Sequence, residues 1–224
     1  MASEGSRWLE RFLLPLLEDL LADVEHEPVR RCLQLQPDNE EEALHLRGKG
    51  WICDLLVEEG TDLSHLAGTP TVLPQNLEDM TLSDASYDLV FSGQLGPLLK
   101  DSRSRARRIG ELARVCKPGG GILAVFGNRL CPLDLTHSAP ILHGPGASSL
   151  ATMTSLRRDF VESGAFSSLR PLSVNGHFSS TGAAGPRRVL RAFLEWNWRH
   201  FVKPEREWAY ASVFNPVLLV WIQK

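Results

Sequence analysis

Four cysteines, Cys32, Cys53, Cys116 and Cys131, are the first residues whose spacing could declare a chemistry, since thiolates in CxxC pairs hold zinc. No CxxC pair occurs and no Cys–His spacing suits zinc, so no metal site is expected. Cys32 and Cys53 lie inside apolar runs, where a thiol acts as a small hydrophobe, and reduced thiols in the cytoplasm or nucleus are the expectation. A second cluster is basic: Lys100, Arg103, Arg105, Arg107, Arg108, Arg114 and Lys117 could meet RNA or an acidic partner. No aromatic residues interleave with them, as single-strand binding would need, so a solvated helix face is the expected role. A third is aromatic, with Phe193, Trp196, Trp198, Phe201 and Trp208 near the end of the chain. Most of these should pack in a core or lid. Trp196 and Trp198 are two apart on a helix and cannot share a face, which leaves one available to a ligand or partner chain.

Composition bounds what such residues can do. The 224 residues are 43% hydrophobic and 23% charged, and 24 Lys+Arg against 27 Asp+Glu leave a net charge of -3. This describes a globular domain and excludes collagen-like, coiled-coil and disordered classes. Without a global basic excess, a general nucleic-acid footprint is not supported. Met1 to Arg7 holds no apolar signal core, and the leucine-rich stretch from Leu9 to Val24 carries Glu10, Arg11, Glu18, Asp19 and Asp23, too many charges for a bilayer span. Leu9, Phe12, Leu13, Leu16, Leu17, Leu20 and Val24 recur at helical spacing, so residues 1–27 are expected to form an amphipathic helix packed on the domain. Its acidic polar face argues against anionic membrane surfaces.

From residue 28 onward the chain alternates. Cys32 to Leu35, Trp51 to Val57, Thr71 to Leu73, Tyr87 to Phe91 and Ile122 to Phe126 read as strands. Glu40 to Leu46 and Arg103 to Cys116 read as helices between them, the second with Ala106, Ile109, Leu112, Ala113 and Cys116 on its buried face. This βαβ rhythm predicts an α/β domain with a parallel sheet. Lys117-Pro118-Gly119-Gly120 carries a type II turn signal. A Pro/Gly/Ser/His-rich loop at 127–149, a helix from Ser155 to Glu162, a strand near Leu169 to Val174, a helical insertion at 186–202 and a last apolar strand, Val217 to Ile222, complete the plan.

Two stretches resemble the class I S-adenosylmethionine-dependent methyltransferases. Asn76-Leu77-Glu78-Asp79-Met80-Thr81-Leu82-Ser83-Asp84-Ala85-Ser86-Tyr87-Asp88-Leu89-Val90-Phe91 is similar to that family's acidic segment leading into strand four. Glu111-Leu112-Ala113-Arg114-Val115-Cys116-Lys117-Pro118-Gly119-Gly120 is similar to its helix and Pro-Gly-Gly turn before strand five. The resemblance covers about residues 28–222. It implies a Rossmann-like, mostly parallel sheet of seven strands, helices on both faces and an antiparallel last strand.

The resemblance also implies a cofactor site, and there the chain departs from the pattern. Gln34, Gln36 and Asp38 stand where the family has Asp, Gly and Gly after strand one, a place where only a backbone without side chains turns tightly against the ligand. Pro37 removes an N–H donor, and Asp38, Glu40, Glu41 and Glu42 add negative charge where the ligand carboxylate would settle. Glu58 or Glu59 stands near the family's ribose-binding carboxylate. Asn76, followed by Leu77, replaces the Asp that contacts adenine. Ser92 and Gly93 line the space around the methyl donor. His137, His143 and Asp134, in the long loop, are the candidate general bases.

The expected function is a methyltransferase-like protein with lost or weakened S-adenosylmethionine binding that serves as a binding or regulatory module for a protein partner, a pseudoenzyme. The alternative is an active S-adenosylmethionine-dependent methyltransferase on a small molecule or protein. A third reading is RNA binding through the Arg103 to Lys117 helix. The cofactor is S-adenosylmethionine or none, the acceptor is unassigned, and neither a membrane nor a nucleic acid is the favoured partner.

Overall fold

The computed structural model describes residues 17, 20–21, 29–36, 41–58, 71–93, 95–130, 150–172 and 217–224. In chain order the elements are β1 (Arg31–Leu35), α1 (Glu41–Gly48), β2 (Ile52–Val57), β3 (Thr71–Pro74), β4 (Tyr87–Ser92), α2 (Leu95–Leu98), α3 (Ser102–Val115), β5 (Cys116–Asn128), β6 (Leu150–Ala151), α4 (Met153–Arg157), β7 (Ser168–Pro171) and β8 (Val217–Gln223). One eight-stranded sheet runs in the order β3-β2-β1-β4-β5-β8-β7, with β6 pairing β5 beside that path. β1 to β5 are parallel to one another, while β8 runs antiparallel to both β5 and β7. This is the mostly parallel, Rossmann-like α/β architecture with an antiparallel last strand. Seven strands form the path, and the two-residue β6 is an addition to the expected count.

Strands in such a sheet are buried on both faces and read as nearly continuous apolar runs. Every residue of β4 is buried, as are all but the first of β2. Side chains alternate between the two faces. Leu33, Leu56 and Val90 join one core cluster with Ile109, Leu112 and Phe160, and Cys32, Leu55 and Leu89 join a second with Ala43, Leu46 and Trp221. Leu17, Leu20 and Leu21 are buried in that second cluster. The rest of the expected helix at 1–27, including Leu9, Phe12, Leu13, Leu16 and Val24, lies outside the described residues, as do the insertion at 186–202 and Trp196 and Trp198.

Several boundaries differ from expectation. Ala106 is exposed and Ser104 is buried, so the inward face of α3 is carried by Ser104, Ile109, Leu112, Ala113 and Val115. Asp101 caps the helix by accepting the Arg103 N–H at 3.0 Å. β5 does not end at Phe126: Gly127 and Asn128 continue it and pair with Leu150 and Ala151, so the expected loop at 127–149 begins later. The helix expected from Ser155 begins at Met153 behind a Thr152–Ser155 capping box and ends in a π turn, Arg158–Glu162. β7 starts one residue before the expected strand at Leu169 and ends at Pro171, short of Val174.

The Pro-Gly-Gly turn is formed by a bulge. Tyr87 pairs with Cys116 but Leu89 pairs with Gly121, so β5 spends extra residues opposite Asp88. Gly119 has φ 80°, the value that the third residue of a type II turn requires. A Cβ on Gly120 would lie 2.6 Å from the Asp88 carbonyl oxygen, so the backbones meet there without room for a side chain.

Candidate functional site

Sheet order reverses between β1 and β4, since β2 and β3 extend to one side of β1 and β4 and β5 to the other. Ligands of open α/β sheets bind outside the carboxyl ends of the strands at such a switch point. The topology brings Gln36 (after β1), Glu58 (after β2), Asn76 and Leu77 (after β3) and Ser92 and Gly93 (ending and following β4) to this edge. Asp38, Glu59, Asp134, His137 and His143 lie outside the described residues.

Gln34 is buried within β1, between Leu55 and Phe91. Gln36 adopts φ 45°, the left-handed region that a glycine enters freely and another residue occupies at a cost of about 1–3 kcal/mol. Its N–H donates to the Leu56 carbonyl at 2.9 Å, which ties the bend to β2. The backbone thus makes a glycine-like turn with a half-buried side chain attached. Its Nε2 is enclosed and makes no hydrogen bond among the described residues.

At the other strand ends several polar groups have partners within the chain. Asn76 is exposed, and its Oδ1 accepts the Glu78 N–H at 2.9 Å, closing a local turn. The Leu77 side chain is buried in the core. Ser92 is buried, whereas Gly93 is exposed with open space where a Cβ would stand. Arg108, on α3, reaches over this edge. Its Nη2 lies 3.0 Å from Glu78 Oε1, its Nη1 donates to the Leu98 carbonyl at 2.6 Å and stands 3.9 Å from Glu58 Oε1. The guanidinium therefore touches the segments following β2, β3 and β4 together.

Charge alone assigns Arg108 to a solvated face. The missed signal is its position four residues before Leu112 and three after Arg105, on the inner side of α3. Arg105 likewise turns inward, pairing with Asp159 at 3.1 Å beside a cavity of about 40 Å3 that Phe126, Ala151 and Phe160 also line. Arg114 donates to the Leu82 and Met80 carbonyls at 2.6 and 2.8 Å and pairs with Glu111 at 2.8 Å. Glu111 Oε2 in turn accepts the Met80 N–H at 3.0 Å. The hydrogen bond from Arg114 holds the Glu111 carboxyl below its usual range. Together these residues brace the acidic segment before β4. Lys117 pairs with Asp88 at 3.3 Å, so among the described residues five members of the basic run, Arg105, Arg107, Arg108, Arg114 and Lys117, meet carboxylates of the same chain.

At the opposite end of the sheet, Asp54 accepts the Tyr87 hydroxyl at 2.8 Å and the Arg31 guanidinium at 3.0 Å, and Asp88 accepts the Arg31 N–H at 2.7 Å. Burial, then the bond to Asp54, raises the Tyr87 hydroxyl above its ordinary range. Cys32 faces Cys53 across β1 and β2, and the contact between the thiols, followed by burial, raises Cys32. Burial pushes Cys116 up to about 12. Raised, enclosed thiols are poor nucleophiles and poor metal ligands. Among the described residues no group of three or more His, Cys, Asp or Glu could hold a metal ion, and no helix is long and apolar enough to cross a membrane.

This fold is similar to the Rossmann-like architecture of methyltransferases. Residues 52–124 match the family model described as a methyltransferase domain. The chain is also similar to a solved S-adenosylmethionine-dependent methyltransferase from Archaeoglobus fulgidus, at 14% identity over 98% of this chain and 93% of that one, with a TM-score of 0.56. A possible histamine N-methyltransferase from Thermotoga maritima is 16% identical over 99% and 94%, with a TM-score of 0.54. The [4+2]-cyclase SpnF is 14% identical over 93% and 80%, with a TM-score of 0.52. No curated protein matches the sequence. The model match carries the resemblance to methyltransferases over residues 52–124, and the neighbours speak to the fold alone.

Proposed function

We propose that this chain is a methyltransferase-like module that does not hold S-adenosylmethionine with ordinary affinity and acts by binding or regulating a partner chain. The observation that carries this reading is Gln36, whose side chain occupies a bend where the family has glycine. The other contacts support it. Asn76 Oδ1 is engaged by the Glu78 N–H, and Glu58 Oε1 stands 3.9 Å from the Arg108 guanidinium. The residues present at these strand ends do not fit the family cofactor. Equilibrium titration of the full chain with S-adenosylmethionine tests the reading, which expects no saturable binding below about 1 mM.

A specific observation favours a second reading, an active methyltransferase on a small molecule or protein. Gln36 keeps a left-handed backbone, so the turn is preserved although the glycine is not. The same titration separates the two, because the second reading expects saturation at tens of micromolar. RNA receives less support, since Arg105, Arg108, Arg114 and Lys117 are paired with Asp159, Glu78, Glu111 and Asp88. A protein partner met in the cytoplasm or nucleus is the reading we adopt.

A further inference from the structure

The geometry points to Arg108 as an internal ligand at the carboxyl ends of β2 and β3, a guanidinium that competes with an adenine nucleoside for the acceptors there. This deepens the reading above and rests on it. Oxygens from the segments after β2, β3 and β4 surround this side chain: it hydrogen-bonds Glu78 Oε1 at 3.0 Å and the Leu98 carbonyl at 2.6 Å, and Glu58 Oε1 stands at ion-pair distance, 3.9 Å. A guanidinium presents five N–H donors in a rigid planar fork, so one group can meet acceptors in several directions at once.

Comparison with Arg107 separates this arrangement from ordinary surface pairing. Arg107 is 64% exposed and its nearest carboxylate, on Asp79, is itself 83% exposed at 3.9 Å. Arg108 is 17% exposed. A ribose seeking the Glu58 carboxylate offers two neutral hydroxyl donors, whereas Arg108 already offers a cation from within the chain. The pair is electrostatic, since at 3.9 Å no hydrogen bond forms, and the cation beside Glu58 disfavours handing that carboxylate to neutral hydroxyls. The nucleoside must displace it, which leaves Glu78 and the Leu98 carbonyl to find other partners.

The test is a cycle of four full-length proteins, unaltered, Gln36→Gly, Arg108→Gln and the double variant, titrated calorimetrically with S-adenosylhomocysteine and melted in parallel. Arg108→Gln should tighten binding at least about tenfold in one or both Gln36 backgrounds, equivalent to about 1.4 kcal/mol. Arg107→Gln should leave binding unchanged. Should Arg108→Gln melt without cooperativity, Arg108→Met, which keeps a long apolar stem, takes its place. Equal affinity with and without Arg108 in both backgrounds overturns its role while leaving the proposed function standing. Saturable binding to the unaltered chain at tens of micromolar overturns the proposed function itself.

Discussion

Nη2 of Arg108 lies 3.0 Å from Oε1 of Glu78, which joins α3 to the segment following β3 across the point where sheet order reverses. In a methyltransferase fold this is ligand territory, and here it is spanned by a pair within the chain. The same helix supplies Arg114, which braces the next part of that segment. Both arginines spend their charge on holding the fold.

Arg114→Ala should remove two bonds to backbone carbonyls and the pairs with two carboxylates, Glu111 and Asp84, together. The expected loss is about 1–3 kcal/mol in denaturant-induced unfolding. Arg114→Lys should recover less than half, because an ammonium cannot reproduce the fork that meets Glu111, Leu82 and Met80 simultaneously.

The Glu111 carboxyl has a folded pKa depressed below its ordinary value of 4.5. The sign follows directly: its contribution is fully present above 4.5 and is lost as pH falls through the lower folded value. The stability difference between the unaltered chain and Glu111→Gln should therefore be largest near neutral pH and shrink below pH 4.5. Chemical denaturation at a series of pH values checks this.

Gly120→Ala should destabilise by about 2 kcal/mol or more, since the new Cβ would lie 2.6 Å from a backbone oxygen that cannot rotate away. Gly48→Ala, at the end of α1 with nothing within 4 Å, should be neutral or stabilising by up to about 1 kcal/mol. Paired thermal melts distinguish the two sites.

Cys32, Cys53 and Cys116 should resist alkylation at pH 8 in the native protein and react only after unfolding. Burial limits access to all three, and raised pKa values keep the thiolate fractions of Cys32 and Cys116 low. Mass spectrometry after timed labelling reads this site by site.

Much of the fold was legible because buried parallel strands leave apolar runs, as at Leu33, Leu56 and Val90, and because Pro118 and Gly119 announce their turn. Other parts were not. Ala106 suits either face of a helix, and only the packed sheet decides that it points outward. Gly127 reads as loop, yet it continues β5 because Leu150, distant in sequence, pairs with it. At the site, residue type located the departure at Gln36 but carried no information about its φ. Arg108 looked like any surface arginine, since the partner that defines it, Glu78, stands 30 positions away.

The most direct measurement is calorimetric titration of the unaltered chain with S-adenosylmethionine. No saturable heat up to about 1 mM ligand is the predicted result. A saturating isotherm at tens of micromolar, weakened in Glu58→Ala and Asn76→Ala, would contradict the account.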